Sequence, residues 1–189
     1  MDLTEAIRRR RMVRHYTGAA VPPDSLHRIV GAALAAPSAG DSQGISLITV
    51  TEPGRISEIA AACGEDHWVA RGRPRWMSTA GALVVLCLEP DVYRSRYSAP
   101  DKNPAVVATI PWWWVDGGAA LEAILIATVA EGLAAGFQGG HRCEPARPLL
   151  AIPEGVIVLG IVTIGEEAPG GSRPAARSKR SGRAHRERW

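Results

Sequence analysis

Apolar residues recur along this chain with the period of helices in some stretches and of strands in others. Leu3, Ala6 and Ile7 start a helical stripe that continues to Arg10, and Asp2 and Glu5 have capping-box spacing. Pro22-Pro23-Asp24 opens a second helix, with Asp24 as the expected N-cap. Leu26, Ile29, Val30, Ala33 and Leu34 share one face of it, and Pro37 ends it. Gly44 precedes a predicted strand over Ile45 to Thr51, and Pro53 to Ala62 reads as a short helix. Ala82 to Leu88 is unbroken apolar sequence of strand length, which predicts a strand covered on both faces. Ala119 to Phe137 predicts a buried core helix, capped by Asp116 and ending near Gly136. Val156 to Ile164 is the last clear strand. Residues 91–114 show no clear period, the mark of a functional or mobile segment. From Pro169 the tail is rich in Gly, Arg and Ser and lacks a core pattern. It closes on Trp189, a side chain that favours a docked tail.

Strands separated by helices, without internal repeats, point to one central sheet in an α+β or α/β arrangement. A length of 189 residues fits a single domain, residues 1–189, with a basic tail over about 169–189. The formal charge is only +3, but basic residues cluster at 8–14 and 173–188. Such ends suit nucleic acid, a membrane surface or a phosphate ligand. No zinc-finger spacing, recognition-helix pattern or aromatic-basic RNA motif accompanies them, so a nucleic-acid partner is not expected. The longest apolar stretch carries Glu122 and Glu131, which argues against a membrane span. Cys63, Cys87 and Cys143 are far apart, and the N-terminus begins with charge. A reduced cytoplasmic protein without a signal peptide is therefore expected.

Three groups of residues carry candidate chemistry, each beside a plainer reading. Arg8, Arg9, Arg10, Arg11, Arg14 and His15 form either a solvated helix end or a phosphate clamp, because guanidinium forks match phosphate oxygens. Ala36-Pro37-Ser38-Ala39-Gly40-Asp41-Ser42-Gln43 is a helix stop and turn, or a polar loop presenting Ser38, Asp41 and Gln43 to a ligand. Gly132 to Gly140 supplies a helix C-cap, or lets backbone approach a flat ligand. Trp112-Trp113-Trp114 fits core, a dimer seam or a pocket wall equally. His67 and His141 lack metal-ligand spacing, so no metal is expected.

In this order, Arg10-Arg11-Met12-Val13-Arg14, Ala36 to Gln43, Gly132-Leu133, Ile152-Pro153 and a tail with Arg177, Lys179, Arg180, His185 and Trp189 resemble the FMN-dependent nitroreductase family over nearly the whole chain. Met12, Asp41 and Gly44 stand where that pattern commonly has Ser, Asn and Pro. The resemblance implies an α+β fold with a central mixed sheet flanked by helices, forming a homodimer with FMN at the interface. It implies that Arg10, Arg11 and the Met12 backbone hold the FMN phosphate with Arg177, and that Arg14 approaches the flavin ring. Pro37, Ser38, Ala39, Asp41 and Gln43 would touch FMN from the partner subunit, and Leu133 and Gly136 would border its ring. No protein side chain is expected to act as a nucleophile. Tyr97, Trp112 and Trp113, in the 91–114 segment, are the expected substrate pocket. The implied activity is hydride transfer from NADPH or NADH through FMN to a nitroaromatic, quinone or enone-like acceptor. The alternative is a flavin- or deazaflavin-binding protein without turnover, acting in storage or sequestration.

Overall fold

A computed structural model describes residues 1–170 and 183–187. Helix α1 spans Leu3–Arg9, and the Asp2 carboxylate accepts the Glu5 N–H at 2.8 Å as the capping spacing requires. Helix α2 spans Pro23–Leu34. Its cap position belongs to Pro22, and Asp24 lies in the first turn instead. The fixed φ of Pro23 starts this helix without a side-chain cap. Strand β1 (Ile45–Val50), α3 (Pro53–Ala62), α4 (Glu65–Val69) and β2 (Ala82–Leu88) follow. Next come α5 (Pro90–Tyr97), α6 (Pro104–Thr109), α7 (Trp112–Ala130), β3 (Ala134–Gly139) and β4 (Ile157–Gly165).

The four strands lie in the order β1-β2-β4-β3, and every pairing between them is antiparallel. The expected mixed sheet is thus an antiparallel one among the described residues. Its only parallel element is an isolated bridge from Met12 to Ala135 of β3. Both faces of β2 are covered, as its unbroken apolar run predicted. Leu83, Val85 and Cys87 pack into a cluster with Ile56 and Ile59 of α3. Ala82, Val84 and Leu86 pack on the other side with Ile29 of α2 and Ala120 and Ile124 of α7. The three cysteines are buried and free.

Two expectations fail at α7. The long apolar stretch is not one helix to Gly136. Gly132, at φ 78°, turns the chain after Ala130, and Ala134–Gly139 is a strand. Nor is the helix fully buried. It is the one described helix long and apolar enough to cross a membrane, yet only 39% of its apolar window is buried. Trp114 and Val115 stand on its exposed side. The 91–114 segment is also not irregular. It forms α5, α6 and the start of α7; α5 and α6 each open on a proline and are too short to display a period.

Candidate functional site

After α1 the chain runs extended along β3. Val13 donates its N–H to Ala135 at 2.8 Å, and the buried Tyr16 hydroxyl donates to the Val13 carbonyl at 2.9 Å while sharing a 2.7 Å contact with Thr163 Oγ1. Burial pushes the Tyr16 hydroxyl well above the usual tyrosine range, so it stays protonated as a donor. Gly136 makes this lamination possible, because a Cβ there would stand 2.3 Å from the Val13 carbonyl. The smallness of Gly136 is thus accounted for by a contact within the chain.

An extended segment points successive side chains to opposite sides. Arg11 and Val13 border a cavity of about 470 Å³, together with Arg9, Leu133 and Glu167. Met12 and Arg14 border a second cavity of about 930 Å³, which His15 also reaches. Arg10 enters neither, and its Nε lies 3.4 Å from Glu122 of α7. Arg11 pairs with Glu167, and its Nη1 is buried without a partner. His15 Nε2 lies 2.9 Å from the same carboxylate. Burial raises the Glu167 pKa, but Arg11 and His15 outweigh it and hold the group below the usual carboxylate range.

The larger cavity lies between the α4–β2 connection and the end of β3. Trp68, Arg73 and Trp76 border it on one side, and Phe137, Gln138, Gly139 and Arg142 on the other. The Arg14 guanidinium sits 5.3 Å from the Trp76 ring centre, and that of Arg142 sits 4.8 Å from the Trp68 ring centre. Arg14, Arg73 and Arg142 have no ion-pair partner among the described residues. Glu65 is the one carboxylate on this lining, and it is already engaged. Its Oε1 accepts the N–H groups of Trp76, Met77 and Ser78 at 2.9, 2.7 and 3.2 Å. Burial raises its pKa, and the hydrogen bonds from these amides overcome that, leaving it below the ordinary range. The result is a cationic cavity with flat walls, a chemistry suited to an aromatic phosphate ester.

The 36–43 loop is elsewhere, between α5 and the start of α7. Asp116, buried in α7, accepts the Ala39 N–H and the Tyr93 hydroxyl, each at 2.8 Å. Asp116 therefore ties down this loop rather than capping its own helix. Ser38 Oγ accepts the Gln43 N–H at 2.8 Å, and Asp41 Oδ1 accepts from the Gln43 side chain at 2.9 Å. Gly40, Asp41 and Gln43 all have positive φ, at 63°, 54° and 55°. Left-handed backbone at two non-glycine residues is held strain of the kind found at binding loops. A Cβ at Gly44 would lie 2.4 Å from the buried Tyr93 ring, which leaves no room there for proline. Pro37, Asp41 and Gln43 remain exposed.

The expected substrate-pocket residues gather around this loop and not along the large cavity. Tyr97 packs on Gly40, and Trp113 meets Tyr93 edge-on at 6.0 Å. The indole N–H groups of Trp112 and Trp113 are buried without a partner. Within one chain, then, Met12 and Arg14 line the large cavity, Arg11 and Leu133 line the small one, and the loop stands apart. Arg177 lies outside the described residues, as do Lys179, Arg180 and Trp189. Sequence reasoning missed Glu65, Trp68, Arg73, Trp76 and Arg142, which carry no motif and meet only through the fold. No group of three or more metal-ligating side chains occurs among the described residues.

Residues 7–166 match the Nitroreductase family. A Methanothermobacter thermautotrophicus protein provisionally named NADH dehydrogenase/NAD(P)H nitroreductase is 29% identical over 195 aligned positions, covering 100% of this chain and 88% of its own. The structure of Bacillus megaterium NfrA2 superposes with a TM-score of 0.77 at 23% identity, over 100% of this chain and 76% of that one. The NADPH:FMN oxidoreductase from Vibrio harveyi, complexed with NAD+, gives 0.72 at 22% identity, over 99% and 77%. At these identities the two structural likenesses establish the fold.

Proposed function

The chain belongs to the nitroreductase family, and from that premise we propose that it is an FMN-dependent NAD(P)H oxidoreductase. The observation that carries this reading is the large cavity, where the Arg14 guanidinium, without a carboxylate partner among the described residues, lies over Trp76 and shares the lining with Phe137, Gln138 and Gly139. An FMN phosphate carries nearly two negative charges, and its ring needs flat surfaces. The residues present fit both demands. Bound FMN supplies reversible hydride chemistry that no side chain here offers, passing reducing equivalents from a reduced nicotinamide to a nitroaromatic, quinone or enone-like acceptor.

The chain's own task is to bind and orient. Arg14 and the Met12 backbone face the cavity, and Arg11 extends the positive field behind them. Arg10 reaches a phosphate only by leaving Glu122, and Arg177 is proposed to add to the same clamp. Arg14 opposes negative charge on a reduced ring and so eases its reduction. Gly139, at the end of β3, leaves backbone exposed toward a ring.

The 36–43 loop does not reach this cavity in its own chain, which supports a homodimer whose second copy brings Pro37, Ser38, Ala39, Asp41 and Gln43 to it. Leu3, Ile7, Leu34, Ile110, Trp114 and Val115 leave a large apolar area uncovered, as a permanent interface would use. Tyr97, Trp112 and Trp113 then border the acceptor side through the same loop. Three buried free thiols fit a reducing cytoplasm.

The test is the visible spectrum of the purified protein, followed by NADPH under anaerobic conditions. Flavin bands that bleach, and return on adding a nitroaromatic or quinone, support the reading. Bands that do not bleach favour storage or a deazaflavin partner. Absence of flavin after incubation with FMN refutes it.

A further inference from the structure

The large cavity holds a second pairing of arginine and tryptophan, outside the segment proposed to hold FMN. Arg14 on Trp76 belongs to the segment proposed to hold FMN. Arg142 on Trp68 belongs to other elements: Trp68 stands on α4, and Arg142 follows β3. Arg73 joins them, because its backbone N–H donates to the Trp68 carbonyl at 3.0 Å. All three side chains are exposed at the cavity's edge.

Neighbouring arginines have hydrogen-bond or carboxylate partners for their guanidinium groups, and these two have none among the described residues. Arg75 pairs with Asp66 at 2.8 Å and Glu65 at 3.4 Å. Arg71 is engaged with the His67 ring and carbonyl, and Arg147 with Glu144. Arg73 and Arg142 form no ion pair among the described residues; Arg142 lies over the half-open Trp68 indole, and Arg73 lines the same cavity. An aromatic platform on a cavity lining that carries two unpaired guanidinium groups matches a purine ring beside a phosphate. The platform stacks the base, and the forks take the phosphate oxygens.

We propose that Trp68, Arg73 and Arg142 form a site for the 2′-phosphorylated adenosine end of NADPH, so that the protein selects NADPH over NADH. This rests on the flavin reading for the use of a nicotinamide reductant, though not for the binding site itself. The added phosphate of NADPH brings nearly two negative charges to a rim that holds two unpaired positive ones. NADH brings a neutral hydroxyl to the same place. Because the rim is exposed, the preference weakens as ionic strength rises.

Calorimetry on the protein with saturating FMN tests this, using adenosine 2′,5′-bisphosphate, adenosine 3′,5′-bisphosphate and adenosine 5′-monophosphate as probes. The 2′,5′-bisphosphate is expected to bind roughly tenfold to a hundredfold more tightly than the monophosphate, and more tightly than its 3′,5′ isomer. Arg73→Ala and Arg142→Ala each cut that ratio by at least about threefold, and the double variant brings it near unity, on the same reasoning about charge-assisted contacts. Flavin absorbance of the variants stays that of the parent. Equal binding of the two bisphosphates would reduce the rim to general anion attraction and overturn the proposal. So would an unchanged ratio in the double variant. If Arg142→Ala instead raised KM only for a carboxylated nitroaromatic, the clamp would belong to the acceptor, and the proposal would fall. The ratios are readable with or without flavin, so a protein that fails to load FMN refutes the earlier reading alone.

Discussion

Glu65 offers a direct test of how the large cavity is built. Its Oε1 gathers three consecutive backbone N–H groups, those of Trp76, Met77 and Ser78, and so fixes the wall that carries Trp76. Glu65→Ala leaves all three donors without an acceptor, and the Met77 amide is deeply buried. A buried donor left unsatisfied costs about 1–3 kcal/mol. The three share one oxygen and two of them are closer to solvent, so a total of roughly 2–4 kcal/mol is expected rather than three full penalties. In a domain of this size that lowers Tm by roughly 5–15 °C. Glu65→Gln keeps an acceptor oxygen and loses the charge, so a loss of about 1 kcal/mol is expected.

Acidity separates the two effects of that carboxylate. Its folded pKa lies below its unfolded one, so its ionised form stabilises the fold fully above the unfolded value of about 4.3. That contribution disappears as pH falls through the folded value. Urea denaturation of parent, Gln and Ala forms at neutral pH and near pH 3.5 measures both quantities. The parent should lose more stability on acidification than Glu65→Gln does. A Glu65→Ala change under about 0.5 kcal/mol, or identical acid sensitivity in parent and Gln forms, would refute the anchoring role.

Asp116→Ala strands the Ala39 N–H and the Tyr93 hydroxyl, and a loss of about 2–3 kcal/mol in urea denaturation is expected, with faster proteolysis in the 36–43 loop. Gly136→Ala forces a methyl against the Val13 carbonyl and should destabilise by about 1–3 kcal/mol, whereas Gly31→Ala on the open side of α2 should stabilise by about 0.5–1 kcal/mol; thermal melts compare the two. Trp114→Glu places a charge on the exposed apolar side of α7 and should shift a dimer toward monomer in light scattering while leaving the far-UV spectrum intact.

Strands and most helices were legible because each buries a face of matching period. β2 is the clearest case, since residues 82–87 alternate between two apolar clusters and the run has no polar break. The cut between α7 and β3 was hidden because helix and strand are equally apolar there, and only Gly132 marks the turn. Within the site, Arg14 and Met12 could be found because they adjoin each other in a motif. Glu65, Trp68, Arg73 and Arg142 could not, since dozens of residues separate the α4 region from the end of β3 and only the fold brings them together. Asp116 was recognised as important for the wrong reason. Its place after an irregular stretch suggested a cap, while its burial in the second turn of α7 makes it an internal tie.

The lamination of residues 11–16 on β3 makes chain length, and not only residue type, a functional variable. Arg11 and Val13 border one cavity and Met12 and Arg14 the other, with the register pinned by the Met12–Ala135 bridge and the Tyr16 hydroxyl. Inserting one residue between Met12 and Val13, with the Met12–Ala135 bridge kept, would move Val13 to the place of Arg14, putting an apolar side chain in the cationic cavity and displacing the Arg14 guanidinium. With an uncharged insert, net charge and helix α1 would be preserved while the charge pattern of the site was altered. Drift in length is therefore tolerable after Thr17, where the chain is exposed, and intolerable in the six residues before it.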